Sequence, residues 1–276
     1  MLLLIKLGKF AFKNTYHYYL FHLRTILFFL FSVLLQANVF SQAALSKSYA
    51  NNNNVWLSYS VDIKTSEKWG FHLDGSWRKN DFFLKPLQSV IRTGINYYFN
   101  AQVFGSAGYC FFENAPYGGF PARASFTENR FWEQIQIRTQ LQRFEWVSRF
   151  RLEQRFSKTP ILKSANIYAA GPAIYTNRFR VQNRFSLPLK GKSIVDKSYY
   201  LTAFNEVLVN FGKNVAANIL DQNRVYFAVG NKIPKLGRLE VGYFLQTIYK
   251  PDGFKVERNH TLQIGLNSSL DLYKKK

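Results

Sequence analysis

Between Phe144 and Phe156 the chain reads FEWVSRFRLEQRF, in which Trp146, Ser148, Phe150, Leu152 and Phe156 alternate with Glu145, Arg149, Arg151, Glu153 and Arg155. Successive side chains of a strand point to opposite faces. An extended segment of this kind therefore needs an apolar medium on one side and a polar, charge-balanced space on the other. The polar face of a soluble sandwich meets water and carries mostly Lys, Glu and Thr, whereas here it is Arg, Glu, Gln and Asn, and the pattern recurs down the chain. The wall of a transmembrane β-barrel satisfies both faces, with aromatic residues toward lipid and Arg/Glu toward a lumen.

The N-terminus reads as an export signal. Residues 1–25 carry Lys6, Lys9, Lys13 and Arg24 with no acid, followed by the apolar run Ile26 to Leu35 and by Val39-Phe40-Ser41-Gln42. A basic region, about ten apolar residues and small residues before a polar one predict a signal peptide over 1–41. A membrane anchor would need about 20 apolar residues, which this run reaches only by counting Gln36 and Asn38. The basic region is long, and a start near Leu23 would shorten it to the usual size. Residues 42–54, with the Asn run at 51–54, read as a flexible lead-in, and 55–273 as one barrel domain.

Export constrains two further readings. The chain has one cysteine, Cys110, so no disulfides hold it; a closed hydrogen-bonded barrel does not need them. Cys110, between Tyr109 and Phe111, reads as a small hydrophobe rather than a nucleophile. Removing the four signal cations from the +21 chain leaves 33 Lys and Arg against 16 Asp and Glu. In an exported protein that excess points away from nucleic acid and toward the anionic lipopolysaccharide of a Gram-negative outer membrane, or toward anionic small solutes in the lumen.

Eleven strand-like segments follow, roughly 55–64, 68–78, 87–99, 101–113, 128–142, 143–157, 173–188, 198–211, 222–233, 237–250 and 258–272. The fold predicted is all-β, an antiparallel up-and-down transmembrane barrel. Bacterial single-chain barrels have even strand numbers, so eleven segments imply a missed strand near 43–52 or a wrongly split one, and the expected count is ten to twelve. The last segment, Leu262, Ile264, Leu266, Leu270 and Leu272 before Tyr273, has the alternating, aromatic-closed form that barrel-assembly machinery recognises.

The lumen face collects eleven arginines, Arg78, Arg92, Arg130, Arg138, Arg149, Arg151, Arg155, Arg178, Arg180, Arg184 and Arg224, with Glu153, Glu206, Glu240, His72, Asp74, Asn96, Gln134, Gln136 and Gln182. A guanidinium binds carboxylates bidentately and stays charged when partly dehydrated. In so narrow a barrel the network is expected to fill and brace the interior; an Arg-lined path for anions is the functional alternative. The expected role is structural or passive-transport, with no catalytic residue, metal or cofactor. Two alternatives stand beside it. One is a barrel enzyme acting on lipids through His72-Leu73-Asp74-Gly75-Ser76, whose polar members share a strand face without converging as a triad must. The other is a soluble periplasmic β-protein.

The blocks Thr127-Glu128-Asn129-Arg130-Phe131-Trp132-Glu133-Gln134, Arg149-Phe150-Arg151-Leu152-Glu153-Gln154-Arg155-Phe156, Phe204-Asn205-Glu206 and Asp221-Gln222-Asn223-Arg224 resemble, in this order, an uncharacterised outer-membrane family known as a domain of unknown function. The resemblance covers most of 55–272. It implies an outer-membrane β-barrel and brings no reaction and no catalytic residues with it.

Overall fold

The computed structural model describes residues 47–273 apart from Asn166 and Asn218, and the signal peptide expected over 1–41 lies outside them. All regular elements among the described residues are strands: β1 (Ser48–Lys64), β2 (Trp69–Asn80), β3 (Lys85–Tyr98), β4 (Val103–Asn114), β5 (Phe126–Leu141), β6 (Phe144–Ser157), β7 (Pro160–Ser164), β8 (Ile167–Ala170), β9 (Ile174–Pro188), β10 (Tyr199–Phe211), β11 (Leu220–Ile233), β12 (Gly237–Tyr249) and β13 (Lys255–Asp271). Eleven of them close into a barrel in the order β1-β13-β12-β11-β10-β9-β6-β5-β4-β3-β2, while β7 and β8 form a separate hairpin in the connection between β6 and β9.

Each barrel strand matches one of the eleven segments read from the alternation, so among the described residues no further barrel strand is present. The odd count has a consequence at the seam. An up-and-down chain with an odd number of strands must close with its first and last strands pointing the same way. β1 accordingly pairs with β13 in parallel, from Ser48↔Lys255 to Lys64↔Asp271, whereas the other neighbours are antiparallel. Ser48 and Asp271 therefore lie at opposite rims. The rim of Asp271, here the lower one, also holds the tight turns at 65–68, 99–102, 142–143 and 234–236; the upper rim holds the loops at 115–125, 158–173 and 212–219.

The seam also corrects the lead-in expected over 42–54, because residues 48–54 are the first part of β1. Asn52 and Asn54 face inward, where the Asn52 amide donates to Asn259 Oδ1 (2.9 Å) and Asn54 Oδ1 accepts from Asn80 (2.8 Å). A polar run looks like loop in isolation, yet a polar lumen gives its alternate side chains partners.

The outer face is apolar and open: Trp69 is 52% exposed, Phe71 55% and Phe131 54%. Aromatics cluster near both rims. Trp69, Tyr97 and Phe99 meet edge to face at 4.8 and 5.0 Å near the lower one. Tyr109, Phe131, Phe156 and Tyr175 run in sequence at 5.7, 6.3 and 5.1 Å toward the other.

The inside differs from expectation in one respect, since it is not purely polar. Trp56, Tyr226 and Phe244 form one buried inward cluster with Phe204, and Val90, Cys110, Phe112 and Trp132 form a second. Inward glycines make room for the large rings. A Cβ on Gly94 would lie 2.6 Å from the Trp132 ring, and one on Gly230 would lie 2.2 Å from that of Tyr200. These rings fill their part of the narrow lumen as a core would.

Candidate functional site: the lumen charge network

Inward positions on five adjacent strands bring the charges together. Glu153 on β6 is 1% exposed. Its Oε2 accepts from Arg178 Nε (2.9 Å) and Nη2 (2.6 Å), and its Oε1 from Arg180 Nη1 (2.7 Å). Arg130 Nη1 completes the set at 3.4 Å. Glu206 on β10 accepts from Arg180 (2.7 and 2.9 Å), Arg149 (2.8 Å) and Arg224 (3.1 Å). Glu128 on β5 accepts from Arg130 Nε (2.7 Å) and Arg155 Nε (2.6 Å), and Asp221 from Arg178 Nη1 (2.7 Å). Arg178, Arg180 and Arg130 each bridge two carboxylates, so the cluster is one cross-linked body, and buried charge is tolerated when paired in this way.

Amides extend it around the wall. Arg224 donates to Gln222 Oε1 (2.7 Å), which also accepts from Gln246 (2.7 Å); Gln246 in turn accepts from Asn259 (3.3 Å). A separate chain runs along the other side, where Arg151 donates to Gln134 Oε1 (2.7 Å), Gln134 to Ser106 (3.3 Å), Ser106 to Asn96 (2.6 Å) and Asn96 to Asp62 (2.8 Å). Guanidiniums lie over the inward rings, Arg130 at 3.6 Å from the Phe112 centroid and Arg78 at 4.0 Å from that of Trp56. Such stacking suits a weakly hydrated planar cation.

Both rims are braced. Arg238 on β12 donates to both oxygens of Glu145 on β6 (2.6 and 2.9 Å); β9, β10 and β11 lie between these strands along the wall, so the pair is a chord across the lower lumen. At the upper rim the 115–125 loop turns inward. Tyr117 donates to Glu257 Oε2 (3.1 Å) and accepts from Asn259 (3.3 Å), while the Gly119 N–H donates to Asn52 (3.3 Å). Burial, and then the Glu257 carboxylate beside it, push the Tyr117 phenol well up from its ordinary value. Gly118 makes the turn with φ +69°, where a Cβ would also meet the Asn52 amide at 2.5 Å.

The central body thus contains Arg130, Arg149, Arg155, Arg178, Arg180, Arg224, Glu153 and Glu206. Five expected members stand outside it: Arg151 bonds Gln134, Arg92 pairs with Asp74, Arg184 with Glu240, and Arg78 bonds Ser76 and Gln88, while Arg138 stands exposed at the lower rim. Sequence reasoning missed Glu128 and Asp62, which alternation from Arg130 and from the first strand would have supplied. It missed Asp221 for a different reason, because a register shift near Leu208/Val209 interrupts the alternation there.

His72 sits between two carboxylates, Nδ1 2.8 Å from Asp62 and Nε2 3.0 Å from Asp74, and the Ser76 hydroxyl accepts from Arg78 Nε (3.0 Å). Neither ring nitrogen faces a hydroxyl nucleophile. Among the described residues no group of three or more His, Cys, Asp or Glu is placed to hold a metal ion. A cavity of about 1760 Å³ borders the network, reaching Arg138 and Arg238 below and Tyr117 and Phe120 above.

Among curated proteins no relative matches the sequence. A structural neighbour is the siderophore receptor PirA from Pseudomonas aeruginosa, 13% identical over 68% of this chain and 32% of the receptor, with a TM-score of 0.26. The chain spans about a third of the receptor's length, and at that score the two need not share a strand arrangement. The family model described as "Protein of unknown function (DUF2490)" matches residues 53–257, which include all four Arg/Glu/Gln-rich blocks, and the chain belongs to that family.

Proposed function

We propose that this chain is an integral outer-membrane β-barrel of structural type whose lumen is held shut by its own Arg/Glu network, with passage of small anions only if that network rearranges. The observation that carries the reading is the cross-linked cluster centred on Glu153 and Glu206, each 1% exposed. A water-filled pore would leave such carboxylates hydrated rather than each ringed by three arginines. The exposed aromatic outer face supports a lipid surround. Lys79, Arg123, Lys158, Lys163 and Lys213 at or beyond the upper rim suit the phosphates of lipopolysaccharide, and β13 suits the barrel-assembly machinery. The reading includes no catalysis, in keeping with both His72 nitrogens being engaged by aspartates.

Fractionation and planar-bilayer recording test it. The protein should stay with the outer membrane through carbonate extraction and pass no steady current. Recovery from the soluble periplasm would sink the membrane reading, and a continuous anion-selective current would sink the closed lumen.

A further inference from the structure

Most of the inward arginines have a carboxylate within 4.0 Å, but Arg151 has none among the described residues, although it is only 3% exposed. Its Nε and Nη2 donate to Gln134 Oε1 (3.0 and 2.7 Å). An amide satisfies those N–H groups and leaves the charge with no carboxylate in contact. Nor can the residue shed its proton, since arginine stays protonated in proteins.

The nearby carboxylates, Glu153 two residues along β6 and Asp74, are held by other arginines, and further cations stand close. Arg92 and Arg151 both lie over the Trp132 ring, at 6.0 and 4.9 Å, and Arg180 is the register partner of Arg151 on β9. Two residues away on β6, Arg149 spends Nη2 on Glu206 (2.8 Å) while its Nε is buried without an acceptor. Gln182 is the register partner of Arg149. Arg149, Arg151 and Gln182 line the same cavity. A buried guanidinium with no carboxylate in contact is unfavourable, and a second buried N–H lacking an acceptor lies on the same strand face.

We propose that a small anion, of the carboxylate or inorganic oxyanion class, binds in the lumen between Arg149 and Arg151 beside Gln182 and supplies the missing negative charge. The inference deepens the closed-lumen reading, because it names the group that completes the network. Fork donors bind a carboxylate or oxyanion through several charge-assisted bonds, and a bound anion stabilises the folded state as its concentration rises.

The test uses the mature protein purified in detergent in a low-anion buffer. Selenate soaked into crystals of the wild type should give an anomalous peak within hydrogen-bond reach of Arg149 Nε and the Arg151 guanidinium. Acetate should raise the melting temperature saturably. Arg151→Met should lose both the peak and the saturable shift, yet unfold no earlier than the wild type without anion, because the substitution removes an unpaired charge. No selenate at this position in the wild type would overturn the proposal, as would an equal acetate response in wild type and variant. Should Arg151→Met fail to fold, the wild-type peak still decides. A wild type that conducts steadily but holds selenate here would sink the closed lumen and leave the anion site standing.

Discussion

Replacing Glu153 by Gln keeps the shape of the side chain and removes the charge on which Arg178, Arg180 and Arg130 converge. Breaking a buried pair by neutralising one partner costs about 3–5 kcal/mol. Each of the three arginines retains a second carboxylate at 2.7 Å, Asp221 for Arg178, Glu206 for Arg180 and Glu128 for Arg130. That places the expected loss near the lower end, about 3 kcal/mol. Urea unfolding of the protein refolded into lipid vesicles, followed by tryptophan fluorescence and by the mobility shift between unheated and heated samples, would measure it. Glu113→Gln, the same change at an exposed position on β4, should stay within about 0.5 kcal/mol of wild type. A loss below about 1 kcal/mol at Glu153 would show that water, not arginine, solvates the carboxylate, and the argument for a closed lumen would fail with it.

Three further outcomes follow from the geometry. Val181 points outward between Phe150 and Val207, so Val181→Arg should cost about 2–4 kcal/mol in vesicles; a negligible cost would mean that this face does not meet lipid. Gly94→Ala would place a methyl 2.6 Å from the Trp132 ring and 2.8 Å from the Ala107 carbonyl, an overpacking expected to cost about 1–3 kcal/mol and to alter the near-ultraviolet dichroism of the indole. The docked Tyr117 phenol keeps a proton that a free phenol releases above about pH 10. Docking of the 115–125 loop is therefore complete below that pH and lost as pH rises further. Protease nicking of the loop should increase there in the wild type and show no such alkaline step in Tyr117→Phe.

The sequence by itself determined the strands and their faces. Period-two alternation is a local property, so FEWVSRFRLEQRF assigned Arg149, Arg151, Glu153 and Arg155 to the lumen without reference to any other strand, and it yielded eleven segments that correspond to the eleven barrel strands. Contacts between segments were a different matter. The parallel seam follows from the closure of the whole wall, and only that closure turns the Asn run at 51–54 into strand. Trp132 faces inward by alternation with Arg130 and Gln134, but the space for its ring is left by Gly94, on a strand two positions away along the wall, and Asp221 reaches Arg178 through an irregular register that alternation cannot anticipate. The Arg238–Glu145 chord joins residues 93 apart in the chain. Which guanidinium meets which carboxylate across a lumen depends on strand tilt and register together, and these are set by the barrel as a whole rather than by any one strand.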